Sequence, residues 1–146
     1  MIEYKKATIE DMEAIHSLVK ELAVYEKAAF EVDTTVQNYE VDFKDNWFDA
    51  IVAIDGESIV GLALYYKSYS TWKGRMIYLE DLIVTQSYRR QGIGLELLRQ
   101  LEIEAKSMNA KLMKWQVLDW NTPAIDFYNT LGVKIEKEWY NCKKML

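Results

Sequence analysis

The residues best placed for chemistry are Tyr88, Arg89, Arg90, Gln91, Gly92, Ile93 and Gly94, set between the apolar stretch Ile77 to Val84 and a helix-patterned stretch opening at Leu95. A strand that ends in Gly-bearing residues and turns into a helix aims several backbone N–H groups at one spot. The positive end of the helix dipole points there too, which favours a phosphate. Spacing removes the common alternatives. No Gly-Lys-Ser/Thr follows, which excludes a Walker loop, and Leu97 stands where a dinucleotide fingerprint requires its third Gly. What remains is Arg-x-x-Gly-x-Gly, suited to a pyrophosphate. Alone, such a run also serves as an ordinary turn before a helix, so its neighbours carry the argument.

Those neighbours are legible as alternating elements. A first strand, Ile2 to Lys6, precedes Thr8, which can cap a helix whose first turn holds Glu10 and Asp11. Ile15, Leu18, Val19 and Leu22 then recur at helical spacing, so the helix runs to about Tyr25, with His16 a boundary residue on it. A short helix is expected around Thr34 to Phe43. Trp47 to Ile54 reads as a strand, Asp55-Gly56 as a hairpin turn and Glu57 to Tyr66 as the partner strand. Lys67 to Gly74 reads as a loop, and Arg75 to Val84 as a central strand. A helix from Ile93 to about Met108 carries Leu97, Leu98, Leu101, Ala105 and Met108 on one face. Lys111 to Leu118 reads as a strand, and Thr122-Pro123 opens a helix that Gly132 stops. Val133 to Met145 reads as two further strands. The order β-α-(α)-β-β-β-α-β-α-β-β implies an α/β fold, a mixed sheet with helices on both faces.

Composition bounds the function. At 146 residues the chain is expected to form one domain, residues 1–146, burying roughly two-thirds of the surface its unfolded form exposes. Eighteen basic against 23 acidic residues give a net charge of −5, which argues against nucleic acid and suits a cationic small molecule. Six acids and one base fall between Glu31 and Asp49; they form a solvated face or a field that attracts an amine. No stretch is long and apolar enough for a membrane span. The N-terminus lacks the apolar core of a signal peptide, so a cytoplasmic location is expected. One His and one Cys leave no protein-built zinc site of the usual kind, and no internal disulfide. Cys142 reads as a strand residue.

The Arg-x-x-Gly-x-Gly run resembles the acyl-coenzyme A pyrophosphate loop of the GCN5-related N-acetyltransferases. Further segments resemble one subgroup of that family, the diamine and thialysine N-acetyltransferases related to the spermidine/spermine enzymes. They are Glu21-Leu22-Ala23-Val24-Tyr25-Glu26, Ala63 through Gly74, Tyr78-Leu79-Glu80-Asp81, and Val117 to Asn121 leading into Ala124, Phe127 and Tyr128. The likeness covers essentially the whole chain in order. It implies a fold in which two sheet strands splay apart to admit acetyl-CoA between Ile83 and the strand at Val117.

The resemblance also implies roles. Backbone N–H groups from Arg90 through Gln91, Gly92, Ile93 and Gly94 to Leu95 cradle the pyrophosphate, with Arg89 beside it, and the backbone of Leu82, Ile83 and Val84 pairs with the pantetheine arm. Asn121 contacts the cofactor, or simply caps its helix. The reaction needs a neutral amine, yet only about one alkyl amine in two thousand is neutral at pH 7. Glu80 is the expected base, directly or through water, with a pKa that burial would raise. Strict alternation would put Glu80 and Asp81 on opposite faces. Tyr128 matches the family's general acid. A phenol near 10 giving its proton outright to a thiolate near 8.5 is uphill by roughly 2 kcal/mol, so hydrogen-bond donation to the developing thiolate is the sounder role. Backbone N–H groups near Leu82 or Ile83 would serve the oxyanion. Tyr25, Glu26, Trp72, Glu80, Asp81 and Trp139 form the expected substrate set, as aromatic faces and carboxylates both suit an ammonium.

The pattern departs from the animal polyamine enzymes at Ser70-Thr71-Trp72, where those have an acid and a Pro before the Trp. This favours a simple diamine or a lysine-like compound. The segment from Gly132 to Trp139 is also shorter, which weakens the assignment of Trp139 and Glu138. Members of the subgroup are usually homodimers, and the aromatic-rich C-terminal segment would suit that. A peptide acceptor and a non-catalytic acyl-CoA sensor are the competing readings. Glu80, Asn121 and Tyr128 together speak against the sensor, since binding alone needs no acid–base pair.

Overall fold

A computed structural model describes all residues, 1–146, in two compact units, Met1–Gln116 and Val117–Leu146. The first unit is built on five strands in the order β1 (Ile2–Lys6), β2 (Asp49–Asp55), β3 (Ser58–Ser70), β4 (Gly74–Val84) and β5 (Leu112–Lys114). Neighbours are antiparallel except β4 and β5, which are parallel. A helix α1 (Met12–Tyr25) and a short α2 (Val36–Lys44) lie between β1 and β2, and α3 (Ile93–Ser107) lies between β4 and β5. No helix is long and apolar enough to cross a membrane.

Local signals start these elements where expected. The Thr8 amide donates to Asp11 Oδ2 at 2.8 Å ahead of α1. Thr35 and Asn38 exchange bonds at the start of α2, of 2.9 and 3.1 Å, satisfying two amide groups that the helix end leaves open. Met12, Ile15 and Leu18 of α1 share a core with Val52, Leu62, Leu64 and Ile83, with Tyr39, Phe43 and Phe48 packed against it. Alternation sends the intervening residues of β3 to the opposite face, where α3 packs. A Cβ on Gly61 would stand 3.1 Å from Leu97 and 3.2 Å from Ala53 and Ile93, so α3 lies flush on the sheet because this position lacks one.

Two expectations need revision. The Lys67 to Gly74 segment is mostly strand: β3 runs on to Ser70, and β4 begins at Gly74. The Lys, Ser and Tyr residues there alternate between exposed and half-buried, as the two faces of a hairpin arm allow. The strand expected over Lys111 to Leu118 is limited to Leu112–Lys114.

The second unit contains α4 (Thr122–Thr130), with Pro123 in its first turn. Ala124 N donates to Asn121 Oδ1 at 3.4 Å, capping the helix. Val133 to Met145, expected to form two strands, forms none, and Cys142 is exposed there rather than in a strand.

Candidate active site

The centre of the first unit is an irregularity in β4. Leu64 pairs with Asp81 and Tyr65 with Leu79, so Glu80 is an extra residue in the ladder, a β-bulge. Its effect can be read from its neighbours. Tyr78 stacks on Tyr66 with centroids 5.3 Å apart, and the Tyr66 phenol donates to Glu80 Oε2 at 3.1 Å. Ile83 belongs to the core under α1, so Asp81, two residues earlier, faces the same way. The bulge therefore cancels the alternation expected from sequence and turns Glu80 and Asp81 to one face.

The two carboxylates differ in environment. Glu80 is exposed rather than buried as expected, and the burial falls on Asp81 instead. Asp81 is half-buried, and its carboxyl is pushed up to about 7, first by loss of water and then by the negative charges of Glu80 and Glu26. Burial also raises Glu26, at the end of α1. Tyr66 is pushed up to about 12, by burial and then by the Glu80 carboxylate. Tyr39 of α2 is raised by burial and then by Asp81. Three acids and three phenols thus converge around the bulge. Sequence reasoning placed the acids but missed Tyr39, Tyr66 and Tyr78. The available signal was the pair of adjacent acids inside an apolar strand, which marks a break in period two.

Next to this cluster, the β4 to β5 ladder stops after three pairs, at Tyr78 and Lys114. Beyond it, Leu82, Ile83 and Val84 pair only with β3, leaving one edge of their backbone for an added partner. The chain then makes a 3₁₀ turn over Gln86–Tyr88 and enters α3 through Arg90 at φ 62° and Gly92 at φ 80°. Residues of alternating hand in succession form a concave nest of N–H groups. The first α3 hydrogen bond runs from Glu96 N to Gly92 O, so the amides of Ile93, Gly94 and Leu95 precede it and are open to an anion. Gly94 needs no left-handed backbone, and a Cβ there would meet only Val84 Cγ2, at 3.9 Å. No protein atom demands a glycine at 94, and its missing side chain leaves the space over the helix end open. The donor set and the open space fit a pyrophosphate.

Of the other expected residues, Trp72 is not gathered here, and Trp139 and Tyr128 belong to the second unit. Trp72 lies in the β3–β4 turn, 89% exposed. It stands beyond the Ser70–Gly74 pair, four pairs from Tyr66–Tyr78, or about 13 Å along the strand. Trp139 is 77% exposed, and its indole N–H donates to Glu136 Oε2 at 2.9 Å. Tyr128 is a buried residue of α4 with its ring centroid 5.5 Å from that of Phe127. His16 is buried rather than at a boundary: Nε2 donates to the Thr34 carbonyl at 2.8 Å, and the ring meets Tyr39 edge-on.

Residues 12–133 match the acetyltransferase (GNAT) family. The chain belongs to this family. It is 38% identical over 137 residues to a thialysine N-epsilon-acetyltransferase of Bos taurus, spanning 86% of this chain and 81% of that protein. It is 39% identical over 127 residues to the thialysine N-epsilon-acetyltransferase of Sus scrofa, spanning 80% and 75%. In three dimensions it matches an aminoglycoside acetyltransferase from an uncultured soil metagenomic sample, with a TM-score of 0.82 over 99% of each chain. At 19% identity that likeness is one of fold. This acetyltransferase therefore has the mixed sheet and flanking helices expected of its family, whose members take their acetyl group from acetyl-CoA.

Proposed function

We propose that this acetyltransferase moves an acetyl group from acetyl-CoA to a primary amine of a small diamine or lysine-like compound. The observation that carries the reading is the bulge at Glu80, which turns two carboxylates to one face with Glu26 contributing to the same field. An acid cluster flanked by phenols suits an ammonium, and the thialysine acetyltransferases it resembles act on a substrate of that kind.

The bound cofactor supplies an acetyl thioester. Glu80 and Asp81 accept the proton that the ammonium must lose before its nitrogen attacks. The Asp81 carboxyl, pushed up to about 7, is well matched to that task at neutral pH. As the N–C bond forms and the C–S bond breaks, the nitrogen would give up its second proton and the departing sulfur would take one up to leave as a thiol, with Tyr128 donating a hydrogen bond to that sulfur. The nest from Arg89 to Gly94 holds the pyrophosphate, with Asn121 as a further cofactor contact. Leu82, Ile83 and Val84 offer a backbone edge to the pantetheine arm, and an N–H near Leu82 or Ile83 supports the oxyanion. Glu26 and Asp81 complete the substrate set at the bulge, and Trp72, about 13 Å along the strand, is left out of it. Pairing of two chains belongs to the same reading, since Trp72, Trp139 and Tyr140 are all largely exposed in one chain.

The test is thiol release from acetyl-CoA with 1,3-diaminopropane, spermidine, spermine, lysine, thialysine and a lysine peptide as acceptors. Fast release with one small amine supports the reading. Turnover of the peptide alone would replace it with a protein acetyltransferase.

A further inference from the structure

The cofactor loop is braced by α1 through residues that the proposed mechanism does not use. Glu21 and Tyr25 lie four residues apart on α1 and so share one face of it. Glu21 accepts from Thr85 Oγ1 at 2.9 Å and from the Gln86 amide at 3.3 Å, at the first residues after β4. One turn further along, the Arg89 guanidinium lies over the Tyr25 ring, 5.1 Å from its centroid. Arg89 Nε donates to the Val84 carbonyl at 2.9 Å. A guanidinium can stack on an aromatic face while its edge serves an oxyanion. With Nε given to Val84 and the face resting on Tyr25, the Nη groups are the donors left for a diphosphate.

We propose that Tyr25 is a positioning residue for the cofactor, acting through Arg89, and not the amine contact that its place beside Glu26 suggests. The guanidinium already covers a face of the ring, and its positive charge disfavours a second cation close by. Tyr25 and Val84 hold the Arg89 fork in one orientation, so the pyrophosphate meets an ordered donor instead of a mobile side chain. Glu21 fixes the same helix to the start of the loop. The amine-facing work at the end of α1 is left to Glu26, whose carboxyl acts on Asp81. The inference rests on the reading of Arg89 to Gly94 as the pyrophosphate cradle.

Calorimetric titration of the protein with CoA, without any amine, tests it in the wild type, Tyr25→Leu, Tyr25→Phe, Arg89→Met and the Leu/Met double variant. Loss of an exposed cation–π contact is expected to weaken CoA binding by about two- to five-fold in Tyr25→Leu. Tyr25→Phe keeps the ring and is expected to bind as the wild type does. In the Arg89→Met background the Tyr25→Leu change is expected to add nothing, a non-additivity that general damage to the fold would not produce. Weaker CoA binding in Arg89→Met with unaltered binding in Tyr25→Leu overturns the inference and leaves the cradle standing. Losses that multiply in the double variant overturn it equally. Unaltered CoA binding in Arg89→Met removes Arg89 from the cradle and takes the inference with it.

Discussion

The phenol of Tyr66 donates to Glu80 Oε2 at 3.1 Å, and this bond spans β3 and β4 where their register skips. The extra residue has no ladder partner on β3, so its side chain is held by Tyr66 instead. Tyr66→Phe keeps the stack on Tyr78 and removes only the bond. Stability is expected to change by about 1 kcal/mol or less, while kcat/KM falls roughly three- to ten-fold. Denaturant titration beside steady-state kinetics separates the two; a large stability loss with full activity would assign the bond to folding alone.

Asp81 makes stability depend on pH with a definite sign. Its folded pKa, about 7, lies above the 3.8 expected of an unfolded Asp, so between these values the folded chain holds a proton that the unfolded chain does not. Stability contributed by this group therefore falls as pH rises through that window, and the cost is complete above it. Asp81→Asn removes the cost. Its Tm is expected to exceed the wild-type value at about pH 8 and to converge with it near pH 4. A gap that does not vary with pH would show that the carboxyl does not titrate in this range.

Activity is expected to carry the same signature. With Asp81 accepting the proton beside Glu80, kcat/KM should fall below an apparent pKa near 7. Asp81→Asn removes the group near 7 and should abolish that limb. An acid limb at the same position in the Asn variant would exclude Asp81 from the proton path.

The two loop glycines should separate by phenotype. Gly92 has φ 80°, so Gly92→Ala is expected to cost about 1 kcal/mol of stability or more. Gly94→Ala meets nothing closer than 3.9 Å and should leave the melting curve almost unchanged. Its methyl group would sit over the helix end, and CoA affinity is expected to drop about ten-fold or more. Equal CoA binding by wild type and Gly94→Ala would contradict the cradle.

Tyr128→Phe is expected to lower kcat roughly 10²-fold or more while sparing CoA affinity. Single-turnover kinetics, which isolates the chemical step, is the measurement. A full-rate Phe variant would remove the phenol from the mechanism.

Most of the architecture is legible in the chain. Ile2–Lys6 falls where expected because its half-buried and exposed residues alternate at the start, and Ile93–Ser107 because Gly92 breaks the chain before it and one stripe is buried. The β3–β4 hairpin is longer than expected because Ser, Thr and Tyr serve a two-stranded arm as readily as a loop. Val133 to Met145 has aromatic and apolar residues in a strand-like pattern yet forms no ladder, since a pattern supplies no partner for its backbone. In the site, the motif residues could be named, but their arrangement could not. Glu80 and Asp81 were assigned to opposite faces by a rule that holds only while the ladder is unbroken, and Arg89 resting on Tyr25 joins two segments more than sixty residues apart.

The bulge gives β4 an unusual relation to chain length. Residues before it, such as Tyr78, and residues after it, such as Ile83, face α1 on opposite parities of the numbering. Many side chains could stand at position 80 without disturbing that arrangement. Removing the position altogether would rejoin the parities: Leu79 and Asp81 would stand next to each other on alternate faces, and Asp81 to Val84 would keep the faces they have now. A deletion at 80 should therefore close the bulge into a regular ladder and leave Ile83 in its core, so that the fold survives while the paired carboxylates are lost. A deletion scan along Gly74–Val84 would find its mildest loss of stability at the one position that has no ladder partner.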